Sequence, residues 1–141
     1  MQLPARILVI EDNLANMELM AYLLKAYGYD PLCAHDGRQG IELASSNPPD
    51  LVICDVHLPH VDGYGVVSFL KGHAGLRTIP VIAVTALAMV GDQEKLLEAG
   101  FDGYISKPID PERFVPAIEQ FLQRGRAGEQ DGTPPSLSGE E

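Results

Sequence analysis

Leu51-Val52-Ile53-Cys54-Asp55 places four apolar side chains in a row and ends them on a carboxylate. A strand with one wet face alternates apolar and polar residues. A run that is apolar on both sides belongs to a sheet covered on both faces, usually a parallel one. Ile7-Leu8-Val9-Ile10, Val81-Ile82-Ala83-Val84 and the shorter Tyr104-Ile105 are built alike, and Pro31-Leu32-Cys33-Ala34 supplies a fifth, weaker strand. Segments of helical length lie between them. Leu14, Met17, Ala21 and Leu24 share one helix face, with Gly28 as terminator. Gly37–Ser46, Asp62–Lys71 and Ala88–Ala99 read as further helices. Asp110-Pro111 reads as an N-cap followed by proline at the first helical position, opening a last helix through Phe114, Ile118 and Leu122. Pro116 within it is expected to bend that helix, because it lacks the N–H that would reach the carbonyl of Glu112. A β-α unit repeated five times predicts an α/β fold, a parallel sheet covered on both faces with right-handed crossovers.

The 141 residues suit one domain plus a tail, and 45% apolar residues are ample for a core. Twenty acidic against ten basic residues give a net charge of −10, which disfavours direct contact with nucleic acid or an anionic membrane. No apolar run approaches the roughly 18 residues of a spanning helix. The start, Met1 to Arg6, leads straight into a strand without room for a signal peptide, so a cytoplasmic protein is expected. Cys33 and Cys54 lie in apolar runs and read as small core residues, not as a disulfide. From Gln123 the chain turns to glycine, proline, serine and charge. Residues 1–122 are therefore expected to form the domain and 123–141 a flexible tail or linker stub.

Function is read from where the polar residues fall. Glu11 and Asp12 follow the first apolar run, Asp55 ends the third strand, Thr85 the fourth, and Lys107 the fifth. Open parallel sheets bind ligands just beyond the carboxyl ends of their strands. Four strand ends thus bring three carboxylates, a hydroxyl and an ammonium to one edge. Clustered carboxylates repel unless a cation joins them, and an all-oxygen set suits Mg²⁺, with Mn²⁺ as the other candidate. Such an ion can bridge a carboxylate and an incoming phosphoryl group. Asp55 is the natural nucleophile, while Lys107 and Thr85 are placed to contact phosphoryl oxygens.

These residues resemble the receiver domain of bacterial response regulators, the CheY-like family, which implies its flavodoxin-like fold, a doubly wound (βα)5 parallel sheet in strand order 2-1-3-4-5. The likeness rests on Ile7-Leu8-Val9-Ile10-Glu11-Asp12-Asn13, Asp55-Val56-His57-Leu58-Pro59 with Asp62-Gly63, Val84-Thr85-Ala86, and Tyr104-Ile105-Ser106-Lys107-Pro108. They stand in family order and span about residues 5 to 122. The resemblance implies that Asp12 binds the metal directly, Glu11 mostly through water, and His57 through its backbone carbonyl. Asp55 would be metal ligand and phosphoacceptor at once, with the Ala86 N–H on the phosphoryl group. Thr85 and Tyr104 would form the coupled switch, and Lys107-Pro108 would carry a cis peptide. The implied donor is a histidine kinase or phosphotransfer protein. The implied output face lies around 88–122, on Ala88–Ala99, Phe101–Ile105 and Pro111–Leu122, for a downstream protein. The chain is then a two-component switch in a phosphorelay and not a metabolic enzyme, catalysing only its own phosphorylation and slow dephosphorylation. Oligomeric state stays open.

Two positions depart from the common pattern. His57 stands two residues after the phosphoacceptor and Leu87 two after Thr85, both flanking the path of the hydrolytic water, so they are expected to tune dephosphorylation. Rival readings fit less well. A haloacid dehalogenase-type phosphatase wants a second Asp two residues after the nucleophile, where this chain has His57. A flavin-binding module wants a donor-rich phosphate loop where this chain has Glu11-Asp12. His57-x-x-His60 beside Asp55 invites a transition metal, yet Leu58-Pro59 between the rings does not ensure convergence. His35 and His73 read as surface residues, and Asp62-Gly63 as turn and helix-start chemistry. A degenerate receiver acting as a phosphorylation-independent interaction module is the alternative, and the intact acidic cluster speaks against it.

Overall fold

The computed structural model describes residues 4–86 and 90–131. Its strands are β1 (Arg6–Ile10), β2 (Asp30–Ala34), β3 (Leu51–Asp55), β4 (Val81–Thr85) and β5 (Gly103–Ser106). The helices are α1 (Leu14–Ala26), α2 (Gly37–Ser46), α3 (Gly63–Lys71), α4 (Val90–Ala99) and α5 (Phe114–Asp131). All strand pairs are parallel, as the apolar runs predicted, and the order is β2-β1-β3-β4-β5, as the resemblance implied. Residues 88 and 89 of the expected fourth helix lie outside the described residues.

The period of two along each strand divides the core between the sheet faces. Ile7, Val9, Leu51, Ile53, Ile82 and Val84 pack under α1 and α5, against Met17, Met20, Leu24, Phe114, Val115 and Ile118. Leu8, Ile10, Val52, Cys54, Val81 and Ala83 pack under α2, α3 and α4, against Ala44, Val66, Val67, Leu70 and Leu96. β3 and β4 are buried along their whole length, which is why their sequences carry no polar residue before the last one. Cys33 and Cys54 are free thiols, and burial pushes both upward from the usual thiol range.

Helix ends follow their local chemistry. Asn13 and Asp36 cap α1 and α2, and Asp62 caps α3 by accepting the Gly65 N–H at 3.0 Å. Gly28, at φ +88°, closes α1: its N–H donates to the Lys25 carbonyl, and the Tyr29 N–H donates to the Leu24 carbonyl. This is the paired bonding of a glycine-terminated helix.

The last helix differs from expectation. Residues 111–113 form a turn, and α5 begins at Phe114. Asp110 does cap, accepting the Glu112 N–H at 2.9 Å on Oδ1, but it caps that turn. Pro116 is therefore the third residue of α5, in the first turn, where an N–H has no partner within the helix. The expected mid-helix bend has no cause. The α5 backbone also stays helical to Asp131, past Gln123, because helix needs only local hydrogen bonds.

At the end of the sheet away from the strand carboxyl termini, Lys71 ties three segments together. Its Nζ donates to Asp102 Oδ2 at 2.9 Å and to the carbonyls of Ile79 and Arg77 at 3.1 and 3.2 Å. The same Asp102 oxygen accepts the Val81 N–H at 2.8 Å. Lys71→Met keeps the stem and removes these bonds, so urea melts should show a loss of about 1–2 kcal/mol. The strand-end carboxylates should be left unchanged, because they stand at the other edge of the sheet.

Candidate functional site

The carboxyl ends of β1, β3, β4 and β5 meet at one edge. Glu11 leaves β1 with its N–H donated to the Ala34 carbonyl at 3.0 Å, and its side chain is fully buried. Asp12 follows it, exposed. Asp55 ends β3 and is 4% exposed. Ligand oxygens of Glu11, Asp12 and Asp55 lie within 4.8 Å of one another. Lys107, just past β5, is placed by its N–H donating to the Thr85 carbonyl at 2.9 Å, and the Lys107–Pro108 peptide is cis.

Each Asp55 oxygen has a partner. Oδ1 accepts the His57 backbone N–H at 3.0 Å, and Oδ2 accepts from Lys107 Nζ at 3.1 Å. The carboxylate is therefore aimed and not free to rotate. Glu11 is served less well. Its Oε2 accepts the Asn13 N–H at 3.1 Å, while the buried Oε1 has no hydrogen bond. Lys107 Nζ stands 3.5 Å from Oε1, an ion pair lacking hydrogen-bond geometry. Burial pushes the Glu11 carboxyl up to about 7; the Asn13 N–H opposes this, the Asp55 charge adds to it, and Lys107 opposes it. For Lys107, desolvation works against the charge, but its hydrogen bond to Asp55 and the attraction of Asp55 and Glu11 win and its pKa is raised. The lysine is cationic throughout the physiological range.

Three carboxylates against one ammonium leave excess negative charge in a partly dry site. That imbalance, a buried Glu11 Oε1 without a hydrogen bond and a donor set made only of oxygens fit a hard divalent cation. Among the described residues this trio is the group that gathers metal-ligating atoms, and His57 and His60 are not part of it. Both imidazoles are exposed, so the transition-metal reading finds no support. His35 is exposed, and exposed His73 stacks on Phe69 with centroids 3.9 Å apart.

Thr85 is buried at the end of β4, and Ala86 after it is exposed. Tyr104 pairs in register with Ala83, and Ser106 with Thr85. Tyr104 and Thr85 therefore share a sheet face, two residues apart in register. Leu87 lies outside the described residues. Two contributions were not foreseen. The His57 N–H orients Asp55, and the Asn13 N–H binds Glu11. Both are backbone groups, which carry no residue-type signal.

The family model described as the response regulator receiver domain matches residues 7–119. The chain belongs to that family. The polar-differentiation response regulator DivK of Brucella anthropi is 42% identical over 120 residues, covering 85% of this chain and 98% of the relative. Among solved structures, the receiver domain of a signal transduction histidine kinase from Syntrophus aciditrophicus aligns with TM-score 0.78 at 33% identity, covering 95% of this chain and 98% of that one. The receiver domain of a sensor histidine kinase from Pseudomonas aeruginosa aligns with TM-score 0.78 at 30% identity, covering 85% and 98%. That structure has a magnesium ion coordinated in its active-site cleft. This chain is thus a receiver domain of a two-component system, a signalling protein. No helix among its described residues is long and apolar enough to cross a membrane.

Proposed function

We propose that this receiver takes a phosphoryl group onto Asp55 from a histidine kinase or phosphotransfer protein, with a divalent cation held at Glu11, Asp12 and Asp55. The observation that carries this reading is the Asp55 carboxylate, held between the His57 N–H and Lys107 beside two further carboxylates. Asp12 and Asp55 would hold the ion directly, Glu11 through water, and His57 through its carbonyl. Bound Mg²⁺ supplies charge neutralisation for the phosphoryl oxygens. Everything else falls to the chain. An Asp55 oxygen attacks phosphorus as the P–N bond to the donor imidazole breaks. The Lys107 ammonium moves from Asp55 to a phosphoryl oxygen, and the Thr85 hydroxyl and Ala86 N–H contact others. Movement of Thr85 draws Tyr104 with it, shifting the population of the face around 88–122 that a downstream protein reads. The switch unit is 1–122, and 123–141, into which α5 continues, is the connection or tail. The setting is cytoplasmic, and the chemistry goes no further than the chain's own phosphorylation and dephosphorylation.

Incubation with acetyl phosphate should add one phosphoryl mass to the intact protein with Mg²⁺ and none with EDTA, the modification mapping to the peptide that holds Asp55. No gain in either condition would favour the interaction module that works without phosphorylation. Turnover of a diffusible phosphate ester would point to a phosphatase. Lys107→Met should slow phosphorylation by about a hundredfold, the usual loss for one electrostatic contact to a transition state. Its Mg²⁺ affinity should rise at the same time, because a competing positive charge has gone. A metal titration and a rate on the same sample separate the two effects. His57 and Leu87 are further proposed to set the phosphoryl lifetime, so replacing both should change the autodephosphorylation rate.

A further inference from the structure

Val61 sits where two helices close on the loop between β3 and α3. A Cβ built on Gly37, the first residue of α2, would stand 2.2 Å from the Val61 carbonyl oxygen. No real Cβ comes so close, and the obstacle is backbone, which cannot swing away like a side-chain tip. From the other side, a Cβ on Gly65 of α3 would meet Val61 Cγ1 at 3.0 Å. Val61 is half-buried and packs on the core beneath α2 and α3. The loop is gripped between the two helices.

The grip reaches the site. Val56 N–H donates to the Val84 carbonyl at 3.1 Å, and Gly63 N–H returns to the Val56 carbonyl at 2.9 Å, so the loop closes on itself. A Cβ on Gly63 would stand 2.7 Å from both the Asp55 carbonyl oxygen and Val56 Cα, leaving no slack at that end. His60, just before Val61, holds φ at 66°, a region narrow for a residue with a Cβ. The start of α2 is pinned as well: Asp36 accepts the Gln39 N–H at 2.8 Å, and Gln39 Oε1 accepts the His35 N–H at 2.7 Å. A push on Val61 therefore passes round the ring to His57, whose N–H holds Asp55 Oδ1.

We propose that Gly37 is a positioning residue for the cation site: its lack of a side chain sets the depth of the β3–α3 loop and, through it, the aim of Asp55. This rests on the cation reading above. The test is Mg²⁺ titration followed by amide NMR shifts, with thermal unfolding in EDTA, on wild type, Gly37→Ala and Gly103→Ala. A Cβ on Gly103 would meet the Phe121 ring at 2.3 Å, which destabilises β5 and α5 without touching the loop. Gly37→Ala should weaken the Mg²⁺ Kd about tenfold, as support residues of metal sites do. Gly103→Ala should lower Tm yet change the Kd by less than about twofold. An unchanged Kd in Gly37→Ala, or an equal loss in Gly103→Ala, overturns the proposal. If Gly37→Ala does not fold, Gly65→Ala takes its place, with an expected weakening of about threefold; an unchanged Kd there overturns it equally. Wild type that binds no Mg²⁺ would instead refute the cation reading itself.

Discussion

Asp55→Asn is expected to bring Mg²⁺-dependent phosphorylation to background while leaving the protein folded. The amide keeps the shape of the carboxylate, and its oxygen can still accept the His57 N–H or face Lys107. What it lacks is a nucleophilic oxygen whose attack yields an acyl phosphate. No other carboxylate can take over at full rate. Glu11 is buried with its oxygens turned to Asn13 and Lys107, and Asp12 is exposed and not held by Lys107. The same substitution should raise Tm in EDTA at neutral pH by a few degrees. Of three carboxylates around one lysine, one loses its charge, and Glu11 loses the neighbour that helps push its pKa up. Activity and metal-free stability thus move in opposite directions. Intact mass and a thermal melt on one preparation read both, and retained incorporation would end the assignment of Asp55.

That trade-off was partly legible in the sequence. Leu51–Cys54 and Val81–Val84 are apolar at every position because β3 and β4 are covered on both faces, so any polar residue closing such a run must stand at the sheet edge. This pattern alone puts Asp55, Thr85, Lys107 and the Glu11-Asp12 pair on one edge. The sequence could not show that Glu11 Oε1 lacks a hydrogen bond, since this depends on how Asn13 and Lys107 approach it in space. Nor could it show Gly37 against Val61, a backbone contact between residues far apart in the chain. The start of α5 departs from the sequence pattern for a local reason. Asp110-Pro111 carries the chemistry of a helix start, and the chain spends it on a turn before Phe114. Lys71 and Asp102 gave no signal, because a lysine at a helix end reads as solvated until its carbonyl partners fold around it.

Glu11→Gln is expected to remove a pH dependence of stability that the metal-free wild type carries. The Glu11 carboxyl has an ordinary value of 4.5 and is pushed up to about 7 in the fold, chiefly by burial. Between those values the folded state binds more protons at this residue than the unfolded state, so stability falls as pH rises through the window. The native arrangement is complete below about pH 4.5 with Glu11 neutral, and by about pH 7 the buried charge has cost about 3 kcal/mol. Lys107 does not titrate in that window, because its raised pKa holds the ammonium protonated there. Urea melts of wild type and Glu11→Gln across the range, both in EDTA, should therefore diverge, with the variant gaining on the wild type as pH rises. Parallel curves would show that Glu11 is not the strained group. Adding Mg²⁺ should close the gap from the wild-type side. A cation held by ionised carboxylates stabilises the fold more as pH rises, opposing the loss from the buried charge. The variant, left with fewer anionic oxygens, should gain less. If the proposed cation site holds, the group whose ionisation strains the metal-free fold is the one whose charge would help hold the cation, and closing of the gap by Mg²⁺ would couple stability to the proposed phosphoryl transfer.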